Sequence, residues 1–232
     1  TSPVLADSDY DGINDADEIS SGTDPSINEI PYYSVFSQGA RGSILADYWF
    51  DISGNRVGDL TNSQNYPSKP SQSELLSQFE LVTNRYNSYG ARVNGFIYPP
   101  VTGEYTFWIA SDDRGELWLS TDSTSDAKQK IAYVNGYTPS RVWDKYPTQK
   151  SATIILEAGK VYYIEALMKE GGGGDNLAVA WQGPDMPMAV IDGQFLAPFI
   201  DNTPQVSPGS GIYFTPQEID ITSKSPSFDI HY

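Results

Sequence analysis

Residues 103 to 120 read Gly103-Glu-Tyr-Thr-Phe-Trp-Ile-Ala-Ser-Asp-Asp-Arg-Gly-Glu-Leu-Trp-Leu-Ser120. Two runs of β-branched and aromatic residues flank a short acidic turn, and this pattern predicts a β-hairpin. The turn carries two adjacent carboxylates, Asp112 and Asp113. Because neighbouring side chains of a strand point to opposite faces, both carboxylates can meet one ligand only where the backbone departs from strand geometry. Alternatively, Asp112 caps the turn and Asp113 is solvated.

A second stretch combines four glycines with carboxylates. It reads Lys169-Glu-Gly-Gly-Gly-Gly-Asp-Asn-Leu-Ala-Val-Ala-Trp181. Glycines allow a backbone to turn its carbonyl groups toward a ligand, and Asp175 follows them directly. Since Ca²⁺ takes carbonyl and carboxylate oxygens as ligands, the two stretches together favour a calcium site.

Together these stretches resemble the PA14 domain family. The matching motifs are Gly103-Glu-Tyr-Thr-Phe107, Ser111-Asp-Asp113, Glu116-Leu-Trp-Leu119, Gly174-Asp-Asn-Leu-Ala-Val-Ala-Trp181, Val93-Asn-Gly-Phe-Ile-Tyr98 and Ala158-Gly-Lys-Val-Tyr-Tyr-Ile164. The resemblance extends roughly from residue 32 to residue 199. It implies an all-β antiparallel sandwich or barrel, and in the lectin branch of the family this fold binds sugar hydroxyls through Ca²⁺. In that branch the paired aspartates lie across a cis peptide bond, and a later loop completes the coordination of the ion.

The resemblance implies a specific ligand set. We expect Asp112, Asp113 and Asp175 to give side-chain oxygens to Ca²⁺, and Gly172 and Gly173 to give backbone carbonyls. Two vicinal hydroxyls of a neutral sugar would then replace waters of the ion.

Three further residues are candidates for sugar contact. Tyr137 and Trp143 lie in a predicted loop, residues 135–147. Aromatic rings on a loop can stack on the apolar face of a sugar, or they can fasten the loop to the sheet, and both interpretations stay open. Arg114 can donate to a sugar hydroxyl together with Asp112 and Asp113, although balancing their charge is the simpler interpretation.

The composition restricts the partners and the chemistry. The 232 residues carry a formal charge of −16 with 14 basic residues, which disfavours nucleic acids and anionic membranes. Cysteine is absent and His231 is the single histidine, which disfavours thiol catalysis, cysteine-based zinc sites and a Ser-His pair. No apolar run approaches the length of a membrane span. We therefore predict a binding module and not an enzyme.

An N-terminal acidic loop, residues 7–18, has the spacing of an EF-hand calcium loop, with Gly12 at the sixth position. The predicted calcium ligands are Asp7, Asp9, Asp11, Ile13, Asp15 and Glu18. The continuation, Ile19-Ser-Ser-Gly-Thr-Asp-Pro25, is similar to a bacterial thrombospondin type 3 repeat. This similarity implies a structural calcium site in a spacer, and the alternative is a disordered acidic linker.

The remaining pattern predicts mostly strands separated by turns. Strands are expected at 43–50, 91–98, 104–110, 116–120, 130–134, 152–156, 161–169 and 177–182. A long polar loop is expected at 53–70, and the capping-box pattern Ser71-Gln-Ser-Glu74 predicts one short helix after it. Core packing is expected for Trp49, Phe96, Phe107, Trp108, Trp118, Tyr163 and Trp181.

These elements suggest three parts. They are a calcium-binding segment at 1–29, a PA14 domain at 30–200, and at 201–232 a linker with the truncated start of an Ig-like module. The functional hypothesis is a calcium-dependent carbohydrate-binding module of a secreted or cell-surface bacterial multidomain protein, either an adhesin or a polysaccharide-degrading enzyme, monomeric within its longer chain. The alternative is a structural spacer that binds no sugar.

Overall fold

Two antiparallel β-sheets share one hydrophobic core in the computed structural model of this protein. The structure describes residues 41–199 and, for the backbone alone, residues 205–207 and 220–222. The first range belongs to one compact unit of the chain.

Eleven strands and one short α-helix make up residues 41–199. In chain order they are β1 Ile44–Trp49, α1 Val57–Thr61, β2 Gln72–Leu76, β3 Tyr89–Ile97, β4 Gly103–Asp112, β5 Arg114–Leu119, β6 Gln129–Val134, β7 Ile154–Leu156, β8 Tyr162–Glu170, β9 Asn176–Gly183, β10 Met186–Val190 and β11 Leu196–Pro198. Single 3₁₀ turns occur at Pro147–Gln149 and Gly193–Phe195.

The larger sheet has the strand order β2-β1-β3-β8-β5-β6, and β11 pairs with β3 beside this path. The smaller sheet has the order β10-β9-β4-β7. This antiparallel two-sheet architecture confirms the predicted all-β fold.

The core follows from alternation along the strands. In β5 the residues at 115, 117 and 119 are buried and those between them are half-buried, as expected of a strand with one face on a core. The core joins both sheets, with Val93 and Leu117 from the larger one and Phe107, Val179 and Trp181 from the smaller one. Phe96 and Tyr163 belong instead to a second cluster, which includes Ala197.

The predicted hairpin over residues 103–120 is wrong. β4 pairs with β9 and β7 in the smaller sheet, whereas β5 pairs with β8 and β6 in the larger sheet. The Asp112-Asp113 step therefore carries the chain from one sheet to the other. β4 pairs with β9 and not with β5 because the β4–β9 ladder is long. It runs over seven consecutive positions, from Thr106↔Gln182 to Asp112↔Asn176.

The predicted helix after Ser71 is also wrong, because Gln72–Leu76 forms β2 and pairs with β1. Ser71 does not cap a helix, since its hydroxyl accepts a hydrogen bond from the backbone N–H of Phe50 (3.2 Å). Among the described residues the single α-helix is α1, which lies within the predicted loop 53–70.

Two predicted parts fall mostly outside the described residues. The calcium-binding segment at 1–29 lies there entirely. In the range 201–232, Gln205–Ser207 (β12) pairs with Asp220–Thr222 (β13), and the Ig-like module remains a prediction. Within the described part of the chain, no helix is long and apolar enough to cross a membrane.

Candidate functional site

Three carboxylates meet where β4 ends, β5 begins and β8 ends. Carboxylate oxygens of Asp112, Asp113 and Glu170 all lie within 4.8 Å of one another, and we call these residues the carboxylate cluster. The β5–β8 ladder aligns Arg114 with Lys169, so the next pair outward is Asp113 beside Glu170. The peptide bond between Asp112 and Asp113 is cis, as the PA14 resemblance implied.

Glu170 is the buried member of the cluster. Its side chain is fully buried, and neither carboxylate oxygen has a hydrogen-bond partner among the described residues. Burial, reinforced by the charges of Asp113, Asp112 and Asp175, raises the pKa of Glu170 to about 7. The cluster therefore brings acidic groups together at a place that water reaches only in part.

Asp112 is half-buried at the edge of the cluster. Burial raises the pKa of Asp112, and the neighbouring carboxylates of Asp113 and Asp175 raise it further. The ammonium group of Lys145 acts in the opposite direction. A cation bound here would favour the ionised forms of these carboxylates.

Asp175 lies beside the cluster and is held by a neighbouring loop. One of its oxygens accepts hydrogen bonds from the backbone N–H groups of Arg85 (2.8 Å) and Tyr86 (2.9 Å). Its other oxygen, Oδ1, is buried and makes no hydrogen bond among the described residues. Asp175, a predicted ligand, is thus close enough to raise the pKa of Asp112 and of Glu170. The third member of the carboxylate cluster is nevertheless Glu170 and not Asp175.

The glycine run forms the loop that leaves the cluster. The N–H of Gly171 donates to Asp113 Oδ2 (3.1 Å), and a Cβ on Gly171 would lie 3.3 Å from that oxygen. Gly173 has φ +119°, a conformation that favours glycine, and its N–H donates to Asn87 Oδ1 (3.0 Å). Gly172 lies between them, and the roles of Gly172 and Gly173 as carbonyl ligands stay predictions.

Arg114 does not form an ion pair with the adjacent aspartates. Its Nε donates to Asn135 Oδ1 (2.9 Å), and its Nη1 donates to the side-chain oxygen of Asn55. The guanidinium is therefore held by neutral amide oxygens, and the simple charge-balancing interpretation does not describe its contacts.

The loop at 135–147 is anchored next to the cluster. The backbone N–H of Thr138 donates to the carbonyl of Ser111 (2.8 Å), and its carbonyl accepts from the Asn176 amide (2.9 Å). Tyr137 precedes this anchor with 54% of its surface exposed, and the Lys145 ammonium lies 3.3 Å from the centre of its ring.

Trp143 is half-buried farther along the same loop. The structure therefore presents Tyr137 to solvent more openly than Trp143. Whether either ring contacts sugar stays a prediction.

Sequence reasoning missed Glu170, Lys145 and Asn55. The available signal for Glu170 was its position directly before the glycine run, but burial and cross-strand register are not visible in the sequence. The predicted ligands of the N-terminal acidic loop lie outside the described residues.

Known proteins provide three comparisons. Mouse N-acetyl-beta-glucosaminyl-glycoprotein 4-beta-N-acetylgalactosaminyltransferase 1 is 29% identical over 170 residues, which is 70% of this chain and 16% of that protein. This chain thus spans about a sixth of the relative's length. The PA14 sugar-binding domain from an RTX adhesin has a TM-score of 0.52 at 11% identity, covering 68% of this chain and 99% of that one.

The epithelial adhesin 6 A domain from Candida glabrata, solved in complex with Galβ1-3GlcNAc, has a TM-score of 0.50 at 13% identity, covering 72% of this chain and 92% of that one. At such identities the two adhesin domains show a shared fold alone. The model of the PA14 domain matches residues 77–194, about half of the sequence and most of the two sheets. The chain belongs to the PA14 domain family.

Proposed function

We propose that this domain is a calcium-dependent carbohydrate-binding module. The observation that carries the proposal is the carboxylate cluster, in which Asp112, Asp113 and Glu170 approach within 4.8 Å without an ion pair to any described lysine or arginine. Like charges at this separation repel unless protons or a cation neutralise them.

The donor set fits Ca²⁺ on chemical grounds. All the groups offered are oxygens, and three buried oxygens lack partners among the described residues, namely both of Glu170 and Oδ1 of Asp175. Hard oxygen donors suit Ca²⁺, whereas zinc sites are built around cysteine and histidine, sometimes with a carboxylate added. Asp112, Asp113 and Glu170 would hold the ion, and Asp175 would add negative charge beside it.

Calcium held here would offer coordination positions to two adjacent hydroxyls of a neutral sugar. The carboxylates would fix the position of the ion. Tyr137, which has the Lys145 ammonium 3.3 Å from its ring centre, would offer its other face for stacking on the sugar. Because such a site is shallow, we expect a weak single-site Kd of about millimolar to tens of micromolar. Several copies on one surface would raise the apparent affinity.

The comparisons support the proposal at the level of the family. The RTX adhesin domain is described as sugar-binding, and the Candida domain was solved with a disaccharide. By analogy with these adhesins we propose that this domain works at the cell surface or outside the cell, as one non-catalytic part of a longer chain. The relative named above is a mouse protein, and a bacterial source remains a prediction.

A glycan array read with Ca²⁺ and again with excess chelator tests the proposal. Binding to neutral sugars that have vicinal hydroxyls should disappear on chelation and return when Ca²⁺ is added back. Binding that persists in excess chelator would contradict calcium dependence. Reducing ends released from a polysaccharide would contradict the non-enzymatic assignment.

Asp112→Asn provides the matching variant, because it removes one charge from the cluster and keeps the shape of the side chain. It should weaken calcium binding and sugar binding together, each roughly tenfold or more, since one charged ligand is lost. Asp126→Asn is the control, because Asp126 is exposed just before β6, at the opposite end of β5 from Arg114. Unchanged calcium stoichiometry and affinity in Asp112→Asn, measured by calorimetry, would overturn the assignment.

A further inference from the structure

A pocket with a basic lining adjoins the carboxylate cluster. It has a volume of about 520 Å³, and we call it the basic pocket. The lining residues relevant here are Arg56, Arg114, Glu116, Lys130, Tyr133 and Asn135.

The charge of this pocket is opposite to that of the chain. Three cationic side chains and one carboxylate line it, although the whole chain has a formal charge of −16. Lys130 is paired with that carboxylate, Glu116, at 3.0 Å. Arg56 and Arg114 form no ion pair within the described part of the chain, so the pocket retains positive charge.

Asp59, in the first turn of α1, does not form an ion pair with Arg56. Asp59 accepts a hydrogen bond from the backbone N–H of Arg56 (2.9 Å), and this contact leaves the guanidinium unused. Arg114 is fixed by the amide oxygens of Asn55 and Asn135. A guanidinium held by neutral acceptors keeps its full charge and free N–H donors, which suits recognition of carboxylate or sulfate oxygens.

An aromatic ring completes the pocket. Tyr133 is 39% exposed, and the Lys130 ammonium lies 5.5 Å from the centre of its ring. A sugar ring can pack its apolar C–H face on such a side chain while an acidic substituent reaches the cations.

Asn55 lies between Arg114, which lines the pocket, and the carboxylate cluster. A Cβ on Gly171 would lie 3.3 Å from the Cβ of Asn55 and 3.3 Å from Oδ2 of Asp113, so Asn55 borders the cluster while holding Arg114. Arg114 also follows Asp113 directly in the chain. One oligosaccharide can therefore touch both places.

We propose that the basic pocket is a subsite for an acidic substituent, a carboxylate or a sulfate ester, on the sugar residue next to the one held at the carboxylate cluster. This proposal rests on the proposed function. The sugar residue at the carboxylate cluster has to be a neutral one, because Asp112, Asp113 and Asp175 place negative charge around it. The adjoining sugar residue lies in the positively charged basic pocket. The domain therefore selects oligosaccharides with an acidic group at one end.

The test uses the whole chain on an array of matched trios in the presence of Ca²⁺. Each trio contains a neutral disaccharide, the same disaccharide with a uronic acid as its second residue, and the same with a sulfate ester on that residue. We expect the acidic members of at least one trio to bind roughly threefold to tenfold more tightly than the neutral one, the range of an exposed charge-assisted contact. Raising the salt concentration should reduce this preference.

Arg56→Gln should remove the preference while leaving binding of the neutral disaccharide unchanged. Lys160→Gln is the control, because it removes an exposed cation that is paired with Glu157 away from the basic pocket. A preference that survives Arg56→Gln would overturn the subsite, as would an equal loss for neutral and acidic members.

Two further results distinguish this proposal from the proposed function. Calcium-dependent binding of neutral members without any acidic preference overturns the subsite alone. No calcium-dependent binding to any member overturns both.

Discussion

Glu170 sets the electrostatics of the candidate site at the scale of single residues. It is buried without a hydrogen-bond partner in the described part of the chain, and two aspartates face it across the cluster. Its pKa of about 7 means that proton and cation compete for the same oxygens near neutral pH.

Calcium affinity should therefore depend on pH through Glu170. As pH rises toward about 7, Glu170 loses its proton and becomes available as a ligand, so calcium affinity should increase and then level off. Glu170→Gln should weaken calcium binding and flatten this dependence, measured by calorimetry at several pH values. An equally steep profile in Glu170→Gln would show that another group is responsible.

In the calcium-free domain, stability should depend on pH in the direction opposite to that of calcium affinity. The folded-state pKa of Glu170 is raised above its ordinary value of 4.5, so between about 4.5 and 7 the folded domain binds more protons than the unfolded chain. The contribution of Glu170 to the free energy of unfolding should thus fall as pH rises through this window. Chemical denaturation in chelator, compared between the wild type and Glu170→Gln, measures that contribution as a difference. A difference that grows more stabilising with pH would contradict the argument.

At the residue scale the sequence predicted the paired aspartates and missed Glu170. Adjacent carboxylates are visible in the sequence itself. The proximity of Glu170 to the aspartates depends on the β5–β8 register and on the burial of its side chain. Neither can be predicted from a charged residue that precedes a run of glycines.

At the scale of elements, strong strands were predictable and their partners were not. β3, β8 and β9 follow from runs of apolar residues, because nearly all of their positions are buried. The hairpin prediction failed because alternation specifies a strand but not its neighbour. The helix prediction failed because a capping-box pattern is short, and pairing of β2 with β1 overrides it.

The contact of β11 with β3 gives a prediction at this scale. A Cβ on Gly95 would lie 2.3 Å from the carbonyl oxygen of Ala197, a backbone atom that cannot move aside without disturbing the pairing of the two strands. Gly95→Ala should therefore lower the free energy of unfolding by roughly 1–3 kcal/mol. Thermal and urea denaturation measure this change.

Gly58→Ala is the matched control for Gly95→Ala. Its Cβ would meet nothing nearer than 3.9 Å, and position 58 lies in α1, where alanine is preferred. This variant should be neutral or more stable by up to about 1 kcal/mol. If both variants lose similar stability, the close approach at Gly95 is not the cause.

At the scale of the whole molecule, the carboxylate cluster and the N-terminal acidic loop are expected to bind calcium independently. The cluster and the shared core both lie within the described range 41–199. Deletion of residues 1–25 should therefore lower the total bound calcium and leave sugar binding unchanged. Equilibrium dialysis with atomic absorption gives the stoichiometry, and the glycan array gives the sugar binding. Loss of sugar binding in the truncated chain would show that the two functions are coupled.

The two ends of the sandwich meet at one point. The N–H of Gly42, just before β1, donates to the carbonyls of Gly193 and Leu196, each at 3.1 Å, and β11 begins at the second of these residues. A mechanical load applied through the two ends of this domain would act on these hydrogen bonds and on the pairing of β11 with β3. Under such a load β11 would separate from β3, and the carboxylate cluster would stay intact.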